Sequence, residues 1–133
     1  MDIQAIRQQI AVNLATISGL RTAENVPDMV NPPVAVLSLE QIGFDGAFNQ
    51  GLTTLQFTLF VVVSRADERT AQRKLNQYVA ATGDYSIKSA VESDRRLNNL
   101  VADLRVRSVT NIGSLQLDDQ EYMAAEFAVA VYV

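Results

Sequence analysis

A strict period-two alternation of apolar and polar residues constrains the fold of this chain more than any other feature. In residues 53–63 every odd position from Leu55 onwards is apolar, whereas Thr54 and Thr58 lie on the other face. Such alternation is typical of a β-strand with one buried face. Beyond Thr58 the second face also becomes apolar, at Phe60 and Val62. We therefore expect this end of the strand to be covered on both sides.

The closing residues 122–133 repeat the alternation. One face carries Met123, Ala125, Phe127, Val129, Val131 and Val133, and the other carries Tyr122, Ala124, Glu126, Ala128, Ala130 and Tyr132. Shorter alternating runs over residues 34–39 and 104–107 precede the two long ones, which predicts two long β-hairpins. Because apolar positions change parity between residues 106 and 115, we expect a β-bulge near residues 110–113.

Helical periodicity separates the strands. Ile3, Ile6, Ile10, Leu14 and Ile17 form an apolar stripe, so the spacing predicts a helix over residues 2–19, capped by Asp2 and ended by Gly19. A second stripe predicts a helix over residues 68–82. Short helical turns are expected over residues 86–91 and 95–101, and an edge strand over residues 21–26.

These elements describe a single domain over residues 1–133. The predicted class is α+β, with an antiparallel sheet built from two long hairpins and helices packed on one face. A chain of 133 residues that is 48% hydrophobic has the composition for one core. No apolar stretch approaches the length of a membrane-spanning helix, and the N-terminus lacks a basic region followed by an apolar one. We expect a soluble protein without a signal peptide.

The composition excludes several kinds of chemistry. The chain contains no cysteine and no histidine, which removes thiolate nucleophiles, cysteine-ligated zinc and the Ser-His-Asp arrangement. The formal net charge of −4 argues against a sequence-independent grip on nucleic acid, which needs concentrated lysine and arginine. We predict no catalytic residue, no cofactor and no metal.

Two charged groups each have a functional and a simpler interpretation. Asp118, Asp119 and Glu121 could bind a divalent cation, but they lack the spacing of a calcium loop, and a solvated hairpin turn is the better interpretation. A second group could form a basic strip for phosphate: Arg95, Arg96, Arg105 and Arg107. Acidic residues are interspersed with it, which favours a mixed-charge face or a subunit contact.

The loop IGFDGAFNQG, residues 42–51, contains Phe44 and Phe48 among three glycines. Either both rings fold over their own sheet, or the loop is an arm that docks its aromatic residues on another subunit. The second interpretation also accounts for the apolar second face of the strand at Phe60 and Val62. It makes Phe44, Asp45, Phe48 and Asn49 subunit-interface contacts, with Tyr122 and Tyr132 next.

The arrangement as a whole resembles a known family. An amphipathic N-terminal helix, the break into PPVAVLSLEQI, the segment FTLFVVVSRADERTAQRKLNQYV and the closing EYMAAEFAVAVYV are similar to the tail terminator, or tail completion, proteins of long-tailed bacteriophages. The resemblance covers nearly the full length. It depends on the order of elements and on strand endings, and no catalytic motif contributes.

The resemblance implies a virion structural protein that forms a hexameric ring at the head-proximal end of the tail. Such a ring ends polymerisation of the tail tube and joins tail to head, so the implied partners are further copies of the chain, the tail tube protein and head–tail connector proteins. The implied location is the virion, after synthesis in the host cytoplasm. DNA would pass through the channel without specific binding, and no membrane is involved. The negative balance of the chain is compatible with that passage.

The sequence also allows three other functions. The chain could be another neck or minor tail protein, which would share the same features. It could be a small-molecule-binding regulatory domain, which requires a pocket between helices and sheet. It could also be a hydrolase that uses carboxylates alone, which requires a pair such as Asp118 and Asp119 in a cleft.

Overall fold

Within the residues that the structure describes, the sheet has five strands in the order β1-β2-β3-β5-β4, and three α-helices accompany it. The computed structural model describes residues 2–23, 32–44, 53–67, 69–117 and 119–133. The helices are α1 (Ile3–Leu14), α2 (Ala71–Val79) and α3 (Ile87–Val91), followed by a 3₁₀ helix at Glu92–Asp94. The strands are β1 (Arg21–Ala23), β2 (Val34–Gly43), β3 (Thr54–Arg65), β4 (Asp103–Leu117) and β5 (Gln120–Tyr132).

The α+β class predicted from the sequence is confirmed, but the sheet is mixed and not wholly antiparallel. β2 pairs with β3, β3 with β5 and β5 with β4 in antiparallel fashion, whereas the short β1 lies parallel to β2. In the parallel pair, Arg21 lies opposite Val34 and Ala23 lies opposite Val36.

The first helix begins where the sequence predicts and ends earlier. Asp2 caps it, because a carboxylate oxygen accepts a hydrogen bond from the Ala5 amide at 3.1 Å. After Leu14 the chain tightens: the Ile17 amide donates to the Leu14 carbonyl at 3.0 Å, three residues back. Ile17 is nevertheless buried, so the apolar stripe extends beyond the helix. Periodicity alone does not separate an α-helix from the tighter turn that follows it.

The predicted helical turn over residues 95–101 is wrong. Leu97, Asn98 and Asn99 all have positive φ, at 49°, 56° and 65°, which a right-handed helix cannot contain. Asparagine tolerates this region better than most residues, and the Leu97 side chain is fully buried. The turn therefore follows from burial of Leu97, which outweighs the backbone cost.

The edge strand β4 contains two register shifts against β5. One lies between Val106 and Ser108, and the other between Thr110 and Gly113. The second confirms the bulge predicted near residues 110–113. Asn111 and Gly113 both have positive φ there, at 52° and 147°, so the extra residues leave the ladder through conformations that asparagine and glycine accommodate.

Two clusters of buried side chains lie in the described part of the chain. The larger combines residues of α1, α2 and α3 with alternate positions of β2 to β5, including Ile10, Leu75, Ile87, Phe57 and Phe127. The smaller belongs to the other parity of the strands, and its buried members are Val34, Val62 and Tyr122. The face with the smaller cluster is called the outer face below.

Candidate functional site

The exposed aromatic residue of the loop lies at one end of the sheet. Phe44 directly follows β2, and its side chain is 71% exposed. Gly43 pairs with Thr54, and Thr54 pairs in turn with Tyr132, so Phe44 and Tyr132 belong to the same end of the sheet. Two of the predicted interface residues are thereby brought to one region. Asp45, Phe48 and Asn49 lie outside the described residues, and their interface role stays a prediction.

Tyr122 lies at the opposite end. It pairs with Arg65 and Leu115, ten residues before Tyr132 on β5, and at about 3.3 Å per residue the two tyrosines are about 30 Å apart. Tyr122 is only 8% exposed, because it packs with Val34 and Val62 of its own chain. Tyr132 is half-buried. The predicted interface residues therefore divide between two ends, and Tyr122 offers little surface to a second subunit.

The outer face of the sheet supplies part of its own cover. Val62 is 1% exposed because Val34 and Tyr122 pack around it, so no second subunit is needed to bury this residue. Phe60 and Leu117 are partly buried and pack against the same cluster. An apolar outer surface therefore remains around these two side chains.

The structure gathers most of the predicted basic group. A cavity of about 440 Å³ is lined by Lys88, Glu92, Arg95, Arg105, Val106 and Arg107, and we call it the basic groove. Arg95, Arg105 and Arg107 meet there as the sequence suggested, whereas Arg96 does not line it. Lys88 was missed by the sequence analysis. It reaches the groove because α3 and the 3₁₀ helix lie beside the edge of β4.

Two carboxylates hold the basic groove together. Asp103 forms a bidentate ion pair with Arg95, in which Nε lies 3.0 Å from Oδ1 and Nη2 lies 2.9 Å from Oδ2. The Nε atom of Arg105 lies 3.4 Å from Asp103 Oδ2. Asp103 also has a lowered pKa, through a backbone hydrogen bond at Leu104 and its pairing with Arg95 and Arg105. These contacts make the groove a mixed-charge surface, as the simpler sequence interpretation held, with cations in excess.

Glu92 is the second carboxylate, and it links three elements. Its Oε1 accepts from Lys88 Nζ at 2.7 Å, and its Oε2 accepts from the Val106 amide at 2.9 Å. Burial by itself would raise the pKa of Glu92, but the hydrogen bonds from Lys88 and Val106 and the nearby Arg95 charge outweigh it and lower that pKa. Lysine and glutamate four residues apart on a helix were the available signal in the sequence.

The far end of β4 and β5 is acidic. Asp119 and Glu121 are exposed there, and neither side chain forms a hydrogen bond or ion pair within the ranges that the structure describes. Arg65 donates to Gln120 Oε1 at 2.6 Å and lies 4.0 Å from Asp67. We call Asp119 and Glu121 the acidic tip. Among the described residues no group of three or more potential ligands could hold a metal ion. Asp118 itself lies outside them.

A cavity of about 370 Å³ lies between α2 and the end of β3. Its lining combines Ser64, Tyr78 and Tyr85 with Pro32 and Pro33, which are joined by a cis peptide bond. The rings of Tyr78 and Tyr85 are 6.1 Å apart, and burial, together with Tyr85, raises the pKa of Tyr78. The Ser64 hydroxyl is buried and has no hydrogen-bond partner in the described part of the chain.

A comparison of the chain with protein-family models and with curated proteins gave no match. Of the helices in the described ranges, none is both long enough and apolar enough to cross a membrane.

Proposed function

We propose that this chain is a structural protein of a long-tailed phage virion, which forms a closed ring at the head-proximal end of the tail, ends polymerisation of the tail tube and joins the tail to the head. The observation that carries the proposal is the 71% exposed Phe44 at the end of the sheet that also holds Tyr132. Aromatic side chains are enriched at protein interfaces, which makes the exposed Phe44 a candidate interface anchor.

The geometry supports a ring through the difference between the two ends of the sheet. Identical subunits close into a ring when each offers two unlike surfaces, one of which binds the other surface on the next copy. Here one end carries Phe44, Tyr132 and the basic groove, and the other carries Tyr122 and the acidic tip. Two long hairpins, with helices against one face, form the frame of the proposed subunit. No chemistry on substrate is assigned to it.

Light scattering over a concentration series tests the proposal. We expect the wild type to form a discrete ring-sized species, and Phe44→Ser with Phe48→Ser to lose it. Val12→Ser is the matched control, because Val12 is 59% exposed on α1 and lies in no predicted interface. A wild type that stays monomeric at all concentrations, or a double variant that assembles as well as the wild type, would contradict the proposal.

Another neck or minor tail protein would assemble through the same surfaces. It differs from a terminator in its partner, so the two are separated by whether the ring binds purified tail tubes or purified head connectors.

A second candidate function, a small-molecule-binding regulatory domain, is favoured by one observation. The cavity of about 370 Å³ beside α2 presents a buried hydroxyl, Ser64 Oγ, that has no partner within the described residues. A buried polar group without a partner is costly, and a ligand with a hydrogen-bonding group would relieve that cost. Thermal unfolding with benzoate and with phenol tests this candidate. A rise in Tm that Ser64→Val removes would support it, and no rise with either compound would count against it.

A further inference from the structure

We propose that the basic groove of one copy binds the acidic tip of the next copy. This inference rests on the proposed function, because it specifies the contact through which the subunits would meet. The groove is formed at one end of β4 and the tip lies at the other, so the two surfaces belong to one strand pair.

The charges of the basic groove are not balanced within the chain. Lys88, Arg95, Arg105 and Arg107 supply four cations, against the two carboxylates of Glu92 and Asp103. Arg107 is exposed and forms no hydrogen bond or ion pair with any described residue. The groove therefore keeps an excess of positive charge in a chain whose formal net charge is −4.

The acidic tip has the opposite imbalance. Asp119 and Glu121 are exposed carboxylates without partners among the described residues, and the nearby Arg65 is already paired with Gln120 and Asp67. Complementary charge on two surfaces fixes the orientation of an encounter and raises its rate. A second copy of this chain therefore carries the chemistry that the groove requires.

Distance prevents the contact within one chain. Arg107 and Leu117 are ten residues apart on β4, which corresponds to about 30 Å of strand. A groove at one end and a tip at the other can meet only between copies, and the contact is head-to-tail. Head-to-tail contacts build rings when the rotation closes and open filaments when it does not.

Nucleic acid fits the groove less well than a protein carboxylate does. A DNA backbone presents many phosphates in a row, and its binding requires an uninterrupted basic surface. In the groove, Asp103 lies 2.9 Å from Arg95 and 3.4 Å from Arg105, and Glu92 lies 2.7 Å from Lys88, so three of the four cations already contact a carboxylate. A short acidic tip needs only Arg107, which has no partner among the described residues, and Arg105, which is exposed and makes the longest of these contacts.

Two complementary variants test the contact by sedimentation velocity at 0.05 and 0.5 M NaCl. The groove variant is Arg105→Ser with Arg107→Ser, and the tip variant is Asp119→Ser with Glu121→Ser. Each alone lacks one of the two surfaces, so we expect its apparent dissociation constant for assembly to rise by about tenfold or more. An equimolar mixture should form a one-to-one dimer and stop there, because only one wild-type contact remains. The higher salt should weaken the wild-type assembly.

Two control variants keep the test specific. Arg73→Ser with Asp84→Ser removes exposed charges of both signs elsewhere and should assemble like the wild type. Arg105→Lys with Arg107→Lys retains the charge and should assemble, which separates loss of contact from loss of fold.

A carbodiimide cross-link between Lys88 of one isotopically labelled copy and Glu121 or Asp119 of an unlabelled copy would identify the contact directly.

The possible outcomes separate this inference from the proposed function. Assembly into rings by both variants would overturn the contact and leave the ring standing. Charge-dependent open filaments would support the contact and contradict ring closure. A monomeric wild type would overturn both. Loss of binding to a 20-base-pair DNA duplex by the groove variant, with assembly unchanged, would assign the groove to nucleic acid and overturn the inference.

Discussion

Glu92 caps the edge of β4 at Val106: its Oε2 accepts the Val106 amide hydrogen bond at 2.9 Å. The amide lies on the side of β4 that faces away from β5, where no other strand of the described residues pairs with it. A carboxylate on the 3₁₀ helix thus replaces a missing strand and fixes the segment that forms the basic groove.

Glu92→Gln should lower the free energy of unfolding by about 1–2 kcal/mol. A neutral amide accepts the Val106 hydrogen bond more weakly than a carboxylate does, and it forms no ion pair with Lys88. Glu40→Gln is the matched control, since Glu40 is exposed on β2 and should change stability little. Urea unfolding followed by circular dichroism measures both. Equal stabilities for the two variants would show that the cap contributes nothing.

The Glu92 contribution should depend on pH with a definite sign. The pKa of Glu92 is lowered in the folded state, so its stabilising effect is present above its unfolded pKa and is lost as the pH falls through the lower folded value. The stability difference between wild type and Glu92→Gln should be constant near neutral pH and shrink below about pH 4. Urea titrations at pH 7, 5, 4 and 3 measure it. A difference that grows on acidification would contradict the assignment.

Asn13 joins α1 to the segment that carries the groove. Its Nδ2 donates to the Val91 carbonyl at 3.0 Å and to the Asp94 carbonyl at 3.2 Å, and the side chain is buried. Asn13→Ala leaves both carbonyls without that donor and should cost about 2–3 kcal/mol. In Asn76→Ala, an exposed i,i+4 bond with Gln72 is lost, and about 0.5 kcal/mol or less is expected. Chemical denaturation of both variants would refute the link if their losses were the same.

The two buried serines should respond in opposite directions to truncation. Ser64→Ala removes a hydroxyl without a partner in the described part of the chain, so stability should be unchanged or rise by about 1 kcal/mol. Ser86→Ala removes the cap of α3, whose Oγ accepts from the Ser89 amide at 3.1 Å and donates to the Ala80 carbonyl at 2.6 Å. About 1–2 kcal/mol should be lost there. Calorimetry distinguishes them, and a marked loss in Ser64→Ala would mean that its hydroxyl is satisfied.

Much of the fold could be read from periodicity, because alternation and helical stripes report burial directly. The cap at Asp2 and the bulge before Gly113 follow from local chemistry and were predicted. The left-handed turn at residues 97–99 was not, since it depends on a tertiary pocket for Leu97. The parallel pairing of β1 with β2 is a tertiary contact, which local residue preferences do not specify.

The candidate site was predictable only where its residues are close in sequence. Arg95, Arg105 and Arg107 were grouped correctly, but Lys88 joins them through the packing of α3 beside β4. The alternation assigned Tyr122 to the correct face of β5. Its burial by Val34 and Val62 could not be predicted, because those partners come from strands far away along the chain. Longer-range neighbours decide which residues on a face remain accessible.

The two register shifts of β4 also affect whether another chain can add a strand to this edge of the sheet. Glu92 and Arg95 occupy the edge near residues 104–106, and beyond them the shifts divide the strand into residues 108–110 and 113–117. A foreign strand that adds to β4 therefore meets at most five residues in continuous register. Cross-β fibrils grow from longer unbroken segments. The bulges therefore oppose fibril growth by strand addition at the β4 edge.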